Sequence, residues 1–188
     1  MKKHLITAIL YTAITAVVLG IVYPLAITGI AHVAFPAKAN GSLVYNAQHE
    51  LVGSRLIGQP FTGPTYFHSR PSAAGTGYDA GNSGGSNLGP TNKTLIDRVN
   101  ASVPAESTNG ASGPVPIDLV TTSASGLDPD ITPAAAYFQI PRIAAARHLS
   151  EPALRILIDN HTTQRQLGFL GEPRVNVLAL NQALDTLK

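Results

Sequence analysis

The sequence predicts an α+β protein: a single N-terminal transmembrane helix followed by a small extracytoplasmic mixed α+β domain. Three observations lead there. No Asp, Glu, Lys or Arg stands between Lys3 and Lys38. Residues 40–129 hold 13 of the 17 Gly and 8 of the 14 Pro, the composition of short strands, turns and long loops. Beyond residue 130 the apolar residues recur with helical spacing, behind capping residues. The boundary falls at an anchor of residues 1–37 and a domain of residues 38–188. Only 13% of the 188 residues are charged, about half the usual share for a soluble domain.

The first element is the apolar run of residues 5–31. At about 1.5 Å per residue it reaches roughly 40 Å, against a hydrocarbon core of about 30 Å. One tilted helix fits, with Pro24 loosening or kinking its outer end. A cleaved signal peptide is the rival reading, since Ala37-Lys38-Ala39 before Asn40 has the form of a cleavage site. A signal h-region is about 7–15 residues long, and this run is nearly twice that. The run therefore reads as a retained anchor. Lys2 and Lys3 flank it and place the N-terminus in the cytoplasm, with the domain facing outward. Ala8, Thr12, Ala16 and Gly20 recur every fourth residue, a stripe of small residues that admits a second helix, or a chance product of an Ala- and Thr-rich segment.

Residues 42–45 and 51–58 read as strands of a hairpin around a polar turn at 46–50, and residues 66–69 as a short strand halted by Arg70-Pro71. Residues 72–90 lack apolar periodicity and read as an irregular loop. Thr91 is a candidate N-cap for a helix ended by Pro104, with a loop over 105–116 and a strand over 118–123. Thr132-Pro133 opens a helix through Gln139, Pro141 a second to His148, and Ser150 caps a third with Leu154, Leu157 and Ile158 inward and Gly168 beyond its frayed end. Val175 and Val177 alternate as in a strand, and residues 178–187 form an amphipathic helix.

Composition excludes several chemistries. There is no Cys, hence no disulfide, zinc-thiolate site or thiol nucleophile. The net charge of +2 belongs to Lys2 and Lys3: without them 11 basic residues face 11 acidic ones, so nucleic acid is not a partner. Gly81-Asn82-Ser83-Gly84-Gly85 matches G-x-S-x-G, but no apolar strand precedes it and a Pro-containing loop follows. Lys93-Thr94 follows Asn92, where a phosphate-binding loop requires Gly. No Asp-Lys-Thr-Gly occurs, so the chain cannot be phosphorylated as a P-type pump. His68, His148 and His161 have no ligand spacing and read as structural, and Asp128-Pro129-Asp130 lacks the alternating ligands of a calcium loop. The chain is expected to hold no catalytic residue, metal or cofactor of its own.

Several motifs stand in a recognisable order. Asn40-Gly41-Ser42-Leu43 is followed by Gly58-Gln59-Pro60-Phe61 and Tyr66-Phe67-His68-Ser69-Arg70-Pro71-Ser72. Ser83-Gly84-Gly85-Ser86-Asn87-Leu88 and the stretch from Asp118 to Asp128 come next. Gln139-Ile140-Pro141-Arg142-Ile143-Ala144 and Val175-Asn176-Val177-Leu178-Ala179-Leu180-Asn181 close the series. Over nearly the whole chain this resembles the KdpC family, the larger accessory subunit of the bacterial potassium-transporting ATPase. The resemblance implies a bacterial inner or plasma membrane and three partners: a channel-like potassium-translocating subunit, a P-type ATP-hydrolysing subunit and a small accessory subunit. Two roles are expected, the first implied by the resemblance and the second by the outward topology. One is a catalytic chaperone that raises the ATP affinity of the hydrolysing subunit through a nucleotide- or partner-contact loop at Ser83, Gly84, Gly85, Ser86 and Asn87. ATP and potassium would then belong to the complex. The other is mechanical, the outer domain capping the ion entrance and locking the subunits together. Arg70 and Arg142 are available to acidic partner residues or, as exposed arginines usually do, only keep the surface soluble. The outward topology conflicts with contact to cytoplasmic ATP. A membrane-tethered binding module without an ATPase partner is the reading outside transport.

Overall fold

The computed structural model describes residues 1–46, 48–109 and 112–187. Its contacts divide into two compact units, Met1–Val52 and Gly53–Lys188.

The first unit begins with a continuous helix over Lys2–Ala34, long and apolar enough to cross a membrane. It comprises α1 (Lys2–Val17), a π-helical turn (Val18–Val22) and α2 (Tyr23–Ala34). The π turn lies just before Pro24. Proline has no N–H to return to the Gly20 carbonyl, and the Tyr23 N–H reaches back five residues to the Val18 carbonyl. The expected loosening therefore takes the form of a widened turn. No residue of α1 or α2 is buried. A short α3 (Pro36–Ala39) leads to a hairpin of β1 (Leu43–Tyr45) and β2 (Leu51–Ser54). Asn46 shapes the turn, its Oδ1 accepting from the Gln48 and Glu50 amides at 3.0 and 2.8 Å. Residue 47 of this turn, and residues 110–111 of the expected loop 105–116, lie outside the described residues.

The second unit is a mixed α+β domain around a small antiparallel sheet, β3 (Asp130–Ile131), β5 (Arg174–Asn176) and β4 (Thr162–Thr163), with β5 central. Ile131 pairs with Val175 and Thr162 with the same residue from the other side. Around it pack α5 (Pro133–Phe138), α6 (Ile140–Arg147), α7 (Glu151–His161) and α8 (Val177–Thr186). Their starts follow from side-chain caps. Thr132, Ser150 and Asn176 each accept the amide three residues on, at 3.2, 3.4 and 3.1 Å. Ile131, Ile140, Ile143, Leu154, Ile158, Val175, Val177, Leu180 and Leu184 fill the core with Phe67.

The structure differs from the sequence expectations at several elements. α4 (Lys93–Asn109) is capped by Asn92, whose Oδ1 accepts the Thr94 amide at 2.8 Å, not by Thr91. It also runs through Pro104. That proline removes one helical bond, while the Ser102, Ser107 and Thr108 hydroxyls add bonds to carbonyls four residues back. The expected strand over 118–123 is a 3₁₀ turn (Ile117–Leu119), because Asp118 Oδ2 ties this stretch to the Thr132 amide at 2.7 Å. α7 ends at His161, and Gly168 lies in the long β4–β5 connection. Val177 is the first residue of α8, not part of the strand. Residues 66–69 are extended and buried in part, but they pair with side chains, not with a strand.

Candidate docking site

The segment 63–70 has almost no regular structure and is among the most tightly held parts of the domain. Asn181 of α8 accepts the Phe67 amide through Oδ1 and donates Nδ2 to the Phe67 carbonyl, both at 2.9 Å. Gln139, between α5 and α6, does the same for His68, at 2.7 and 3.2 Å. Both carboxamides are buried. They give this backbone the two-bond pairing that a neighbouring strand would otherwise supply.

Two arginines complete the clamp. Arg142 of α6 donates to the carbonyls of Gly63, Pro64 and Tyr66 at 3.3, 2.6 and 2.9 Å, and to Gln139 Oε1 at 2.8 Å. Arg147 reaches the Thr65 carbonyl at 2.7 Å and Asp185 Oδ1 at 2.7 Å, and lies over the Tyr66 ring. Four successive carbonyls thus point at two guanidinium groups. Burial lowers the Arg142 pKa from its ordinary value, with the Glu106 charge acting in opposition. Burial also lowers that of His68, whose Nε2 donates to the Gly63 carbonyl at 2.9 Å.

Arg70 is likewise engaged within the domain. Its guanidinium contacts Asp128 at 3.2 Å, lies 4.0 Å from buried Asp118, and bonds Thr121. Arg70, Asp118 and Asp128, with Asp130 and Arg174 paired at 2.9 Å, line a charged cleft of about 230 Å³. Burial raises the Asp130 pKa. Neither Arg70 nor Arg142 is the free surface cation that the sequence offers for acidic partners.

The glycine-rich loop around residues 83–87 rests on the turn at 122–126. Ser83 Oγ and the Gly84 amide both donate to the Ser125 carbonyl at 2.9 Å, and Thr122 Oγ1 meets Ser86 Oγ at 3.3 Å. Gly126 has φ +65°, and a Cβ there would stand 2.6 Å from the Ala74 nitrogen and the Gly84 oxygen. Gly85 packs as closely, a Cβ meeting the Ala124 oxygen at 2.8 Å. Asn87 adopts φ +50° and is exposed. Two of the donors that a phosphate would need are already bonded internally. No strand leads into Ser83 and no helix follows it directly, so the G-x-S-x-G match lacks its elbow.

The other candidates are placed apart. His148 ends α6 with φ +56°, and His161 Nδ1 lies 2.8 Å from the Leu157 carbonyl. Among the described residues no group of three or more His, Asp or Glu is arranged to hold a metal. Ala8, Thr12, Ala16 and Gly20 are all exposed, and a Cβ on Gly20 would meet nothing within 4 Å. Sequence reasoning missed the clamp formed by Gln139, Arg142, Arg147 and Asn181. Gln139, Arg142 and Asn181 stand in the quoted motifs, as polar residues within otherwise apolar helical stretches, but nothing in those motifs pairs them with residues 63–70.

Comparison with known proteins gives a consistent picture. The family described as "KdpC: K+-transporting ATPase, c chain" matches residues 5–186. A protein of Koribacter versatilis named "Potassium-transporting ATPase KdpC subunit" is 61% identical over 185 residues, covering 98% of this chain and 95% of that one. One of the same name from Acidobacterium capsulatum is also 61% identical, covering 98% and 99%. A third, from Rhodopseudomonas palustris, is 52% identical with both chains covered in full.

Proposed function

The chain belongs to the KdpC family, non-catalytic members of potassium-transporting ATPases, and from that premise we propose that it acts as an assembly subunit. Its apolar helix packs within the membrane, and its outer domain fastens the channel-like potassium-translocating subunit to the P-type ATP-hydrolysing subunit beside the small accessory subunit. The observation that carries this reading is the engagement of the domain's chemistry with itself. Arg70, Arg142, Arg147, Gln139 and Asn181 all hold backbone or acidic groups of the same domain. The helix has no buried residue, and its stripe of Ala8, Thr12, Ala16 and Gly20 is open to a neighbour. Small residues let helices approach closely in lipid, where packing drives association.

In this reading Lys2 and Lys3 hold the N-terminus in the cytoplasm and residues 38–188 face outward. The Ser83–Asn87 loop is then a partner-contact surface. Its internal bonds to Ser125 support that role over a phosphate cradle that raises ATP affinity. Two measurements test the proposal. A chain tagged at its C-terminus, extracted gently from potassium-starved membranes, should bring down a P-type ATPase chain with potassium-stimulated ATPase activity; a chain recovered alone would favour a tethered binding module. Asn82→Cys, in a protein with no other cysteine, should react with a membrane-impermeant maleimide in intact cells. Reaction only after the membrane is opened would reverse the topology and restore the nucleotide reading.

A further inference from the structure

Charge is unevenly divided along the chain. Lys2, Lys3 and Lys38 are the only Asp, Glu, Lys or Arg among residues 1–49, and Glu50 is the first carboxylate. From residue 50 onward 10 basic residues face 11 acidic ones. The spacing of the three lysines fits a bilayer. From Lys3 to Ala34 the helix rises about 47 Å at about 1.5 Å per residue, and a bilayer with its headgroup layers measures about 40–45 Å. With Lys2 and Lys3 in one headgroup layer, a modest tilt brings Phe35 and α3 into the other. The junction has no slack: the Phe35 amide donates to the Ala31 carbonyl at 2.8 Å, and the Ala39 amide to the Phe35 carbonyl at 2.9 Å.

The surface delivered there is apolar and uncovered. Phe35 is 57% exposed, and β1 turns Leu43 (45%) and Tyr45 (51%) outward while Val44 between them is buried. Leu43 and Tyr45, with Pro36, Ala37 and Asn40, line an open hollow of about 270 Å³. All of these residues belong to the same compact unit as the helix, so their depth follows from its depth. Beside them Lys38 has no carboxylate partner among the described residues, and its ammonium lies 5.7 Å from the centre of the Phe35 ring. Aromatic rings and a lysine at the end of an apolar span settle at headgroup level. One class of ligand brings anions and apolar chains together at that depth, and it is phospholipid.

We propose that α3 and β1 form a phospholipid site in the leaflet on the domain's side, with lipid phosphate at Lys38 and acyl chains in the hollow lined by Leu43 and Tyr45. This rests on the helix Lys2–Ala34 crossing the membrane, and it holds for either orientation of the chain. Because phosphate is the recognised group and residues 1–49 carry no carboxylate, anionic headgroups are preferred over neutral ones, by about fivefold for one lysine near the surface.

The chain has no Trp, so Tyr45→Trp reports on this site alone when the full-length chain is reconstituted into vesicles of phosphatidylglycerol and phosphatidylcholine. Its emission should be quenched by lipid brominated near the headgroup end of the acyl chain, and less by lipid brominated near the methyl end. Brominated phosphatidylglycerol diluted into phosphatidylcholine should quench preferentially, and adding Lys38→Gln should lower that preference about fivefold. An indole open to aqueous iodide and untouched by either bromolipid would overturn the proposal, as would a preference that Lys38→Gln leaves unchanged. Leu19→Trp, in the middle of the helix, separates the two readings. If it is quenched and Tyr45→Trp is not, the lipid site is rejected and the anchor stands; if neither is quenched, the anchor itself fails. In cells making the whole complex, a photo-crosslinking amino acid in place of Leu43 should form lipid adducts. Crosslinking to another subunit or to a second copy of this chain instead, or no lipid adduct at all, would reject the site in the assembled ATPase.

Discussion

Two stretches of irregular backbone follow one another in the second unit and are held by different means. Segment 63–70 is bonded to side chains on α6 and α8 and at the α5–α6 junction, from residues 71 to 114 positions away. Loop 72–87 is bonded chiefly to another loop, through Ser72 and the Gly126 carbonyl at 2.6 Å and through the Ser125 carbonyl. Both lack regular structure, yet the first is part of the core and the second lies over it. Irregular backbone is thus as firm as the elements that supply its hydrogen-bond partners. On this view the first segment sets stability and the second is available for contact with a partner.

The largest effect should come from breaking the clamp at its cation. Arg142→Ala removes the donor from three carbonyls and from Gln139 Oε1. Charge-assisted bonds are worth about 1.5–3 kcal/mol each and are not additive. A loss of about 3–4 kcal/mol is expected, read as a fall of roughly 10 °C in Tm by calorimetry. Arg142→Lys should recover only part of it, because an ammonium cannot match the guanidinium fork. A Tm within a degree of the parent would erase the contrast between the two stretches.

Asn181→Leu tests the same side of the comparison more narrowly. It keeps the branched shape, at a somewhat larger volume, but leaves the Phe67 amide and carbonyl without their bonds in a buried site. About 2–3 kcal/mol is expected, measured by urea unfolding.

How far these features are legible in the sequence depends on range. The long apolar helix, the caps at Thr132 and Ser150 and the inward face of α7 rest on residues within a few positions of each other, and each is readable from spacing. Pro24 marks the widened turn for the same reason. The clamp pairs Phe67 with Asn181 and His68 with Gln139, and nothing local in Tyr66-Phe67-His68-Ser69 distinguishes a strand partner from a carboxamide. Its β-forming residues correctly indicate extended, buried backbone, and the ladder is what they cannot specify. Pro104 misleads because proline propensity is judged locally, whereas α4 keeps its register with side-chain hydroxyls on either side. Asp118 misleads because its partner is the start of a helix fourteen residues on. Of the candidate site, the loop Ser83–Asn87 is visible as composition, while its attachment to Ser125 is again long-range.

Gly126→Ala probes the second stretch where it leans on the 122–126 turn. Its φ of +65° is costly for any L side chain, and the added methyl meets backbone atoms at 2.6 Å, which cannot swing away. About 1–3 kcal/mol is expected, with the damage confined to one side. Hydrogen exchange should accelerate at the amides of Gly84 and Tyr78, both donors in this region, while those of Phe67 and His68 stay protected. Equal acceleration in both stretches would mean that they open as one unit.

Acid should loosen the clamp in a defined direction. Burial, with the Arg142 charge adding to it, lowers the His68 pKa below 6.5, against the Gly63 bond and Glu106. The unfolded chain therefore takes up the proton first, so stability is complete above the ordinary histidine pKa and declines as pH falls below it. Tm measured between pH 8 and pH 5 should drop for the parent more than for His68→Gln, which has no imidazole to protonate. A parent and variant that lose stability in parallel would exclude His68 as the source.

The smallest effect on stability should come from Ser83→Ala. Ser83 is exposed, and its hydroxyl shares the Ser125 carbonyl with the Gly84 amide, which persists without it. Removing such a bond costs about 0.5 kcal/mol or less, since water replaces the lost partner. The informative quantity is the ratio between this change and the change in complex durability. If loop 72–87 faces a partner, Ser83→Ala together with Asn87→Ala should shorten the lifetime of the solubilised complex while the isolated chain melts with the parent. Arg142→Ala should do the reverse, lowering the melting point of the chain and weakening the complex only as far as the fold is lost. A Ser83 and Asn87 pair that changes neither quantity would leave the glycine-rich loop as packing for the 122–126 turn, and would move the search for the docking surface elsewhere in the domain.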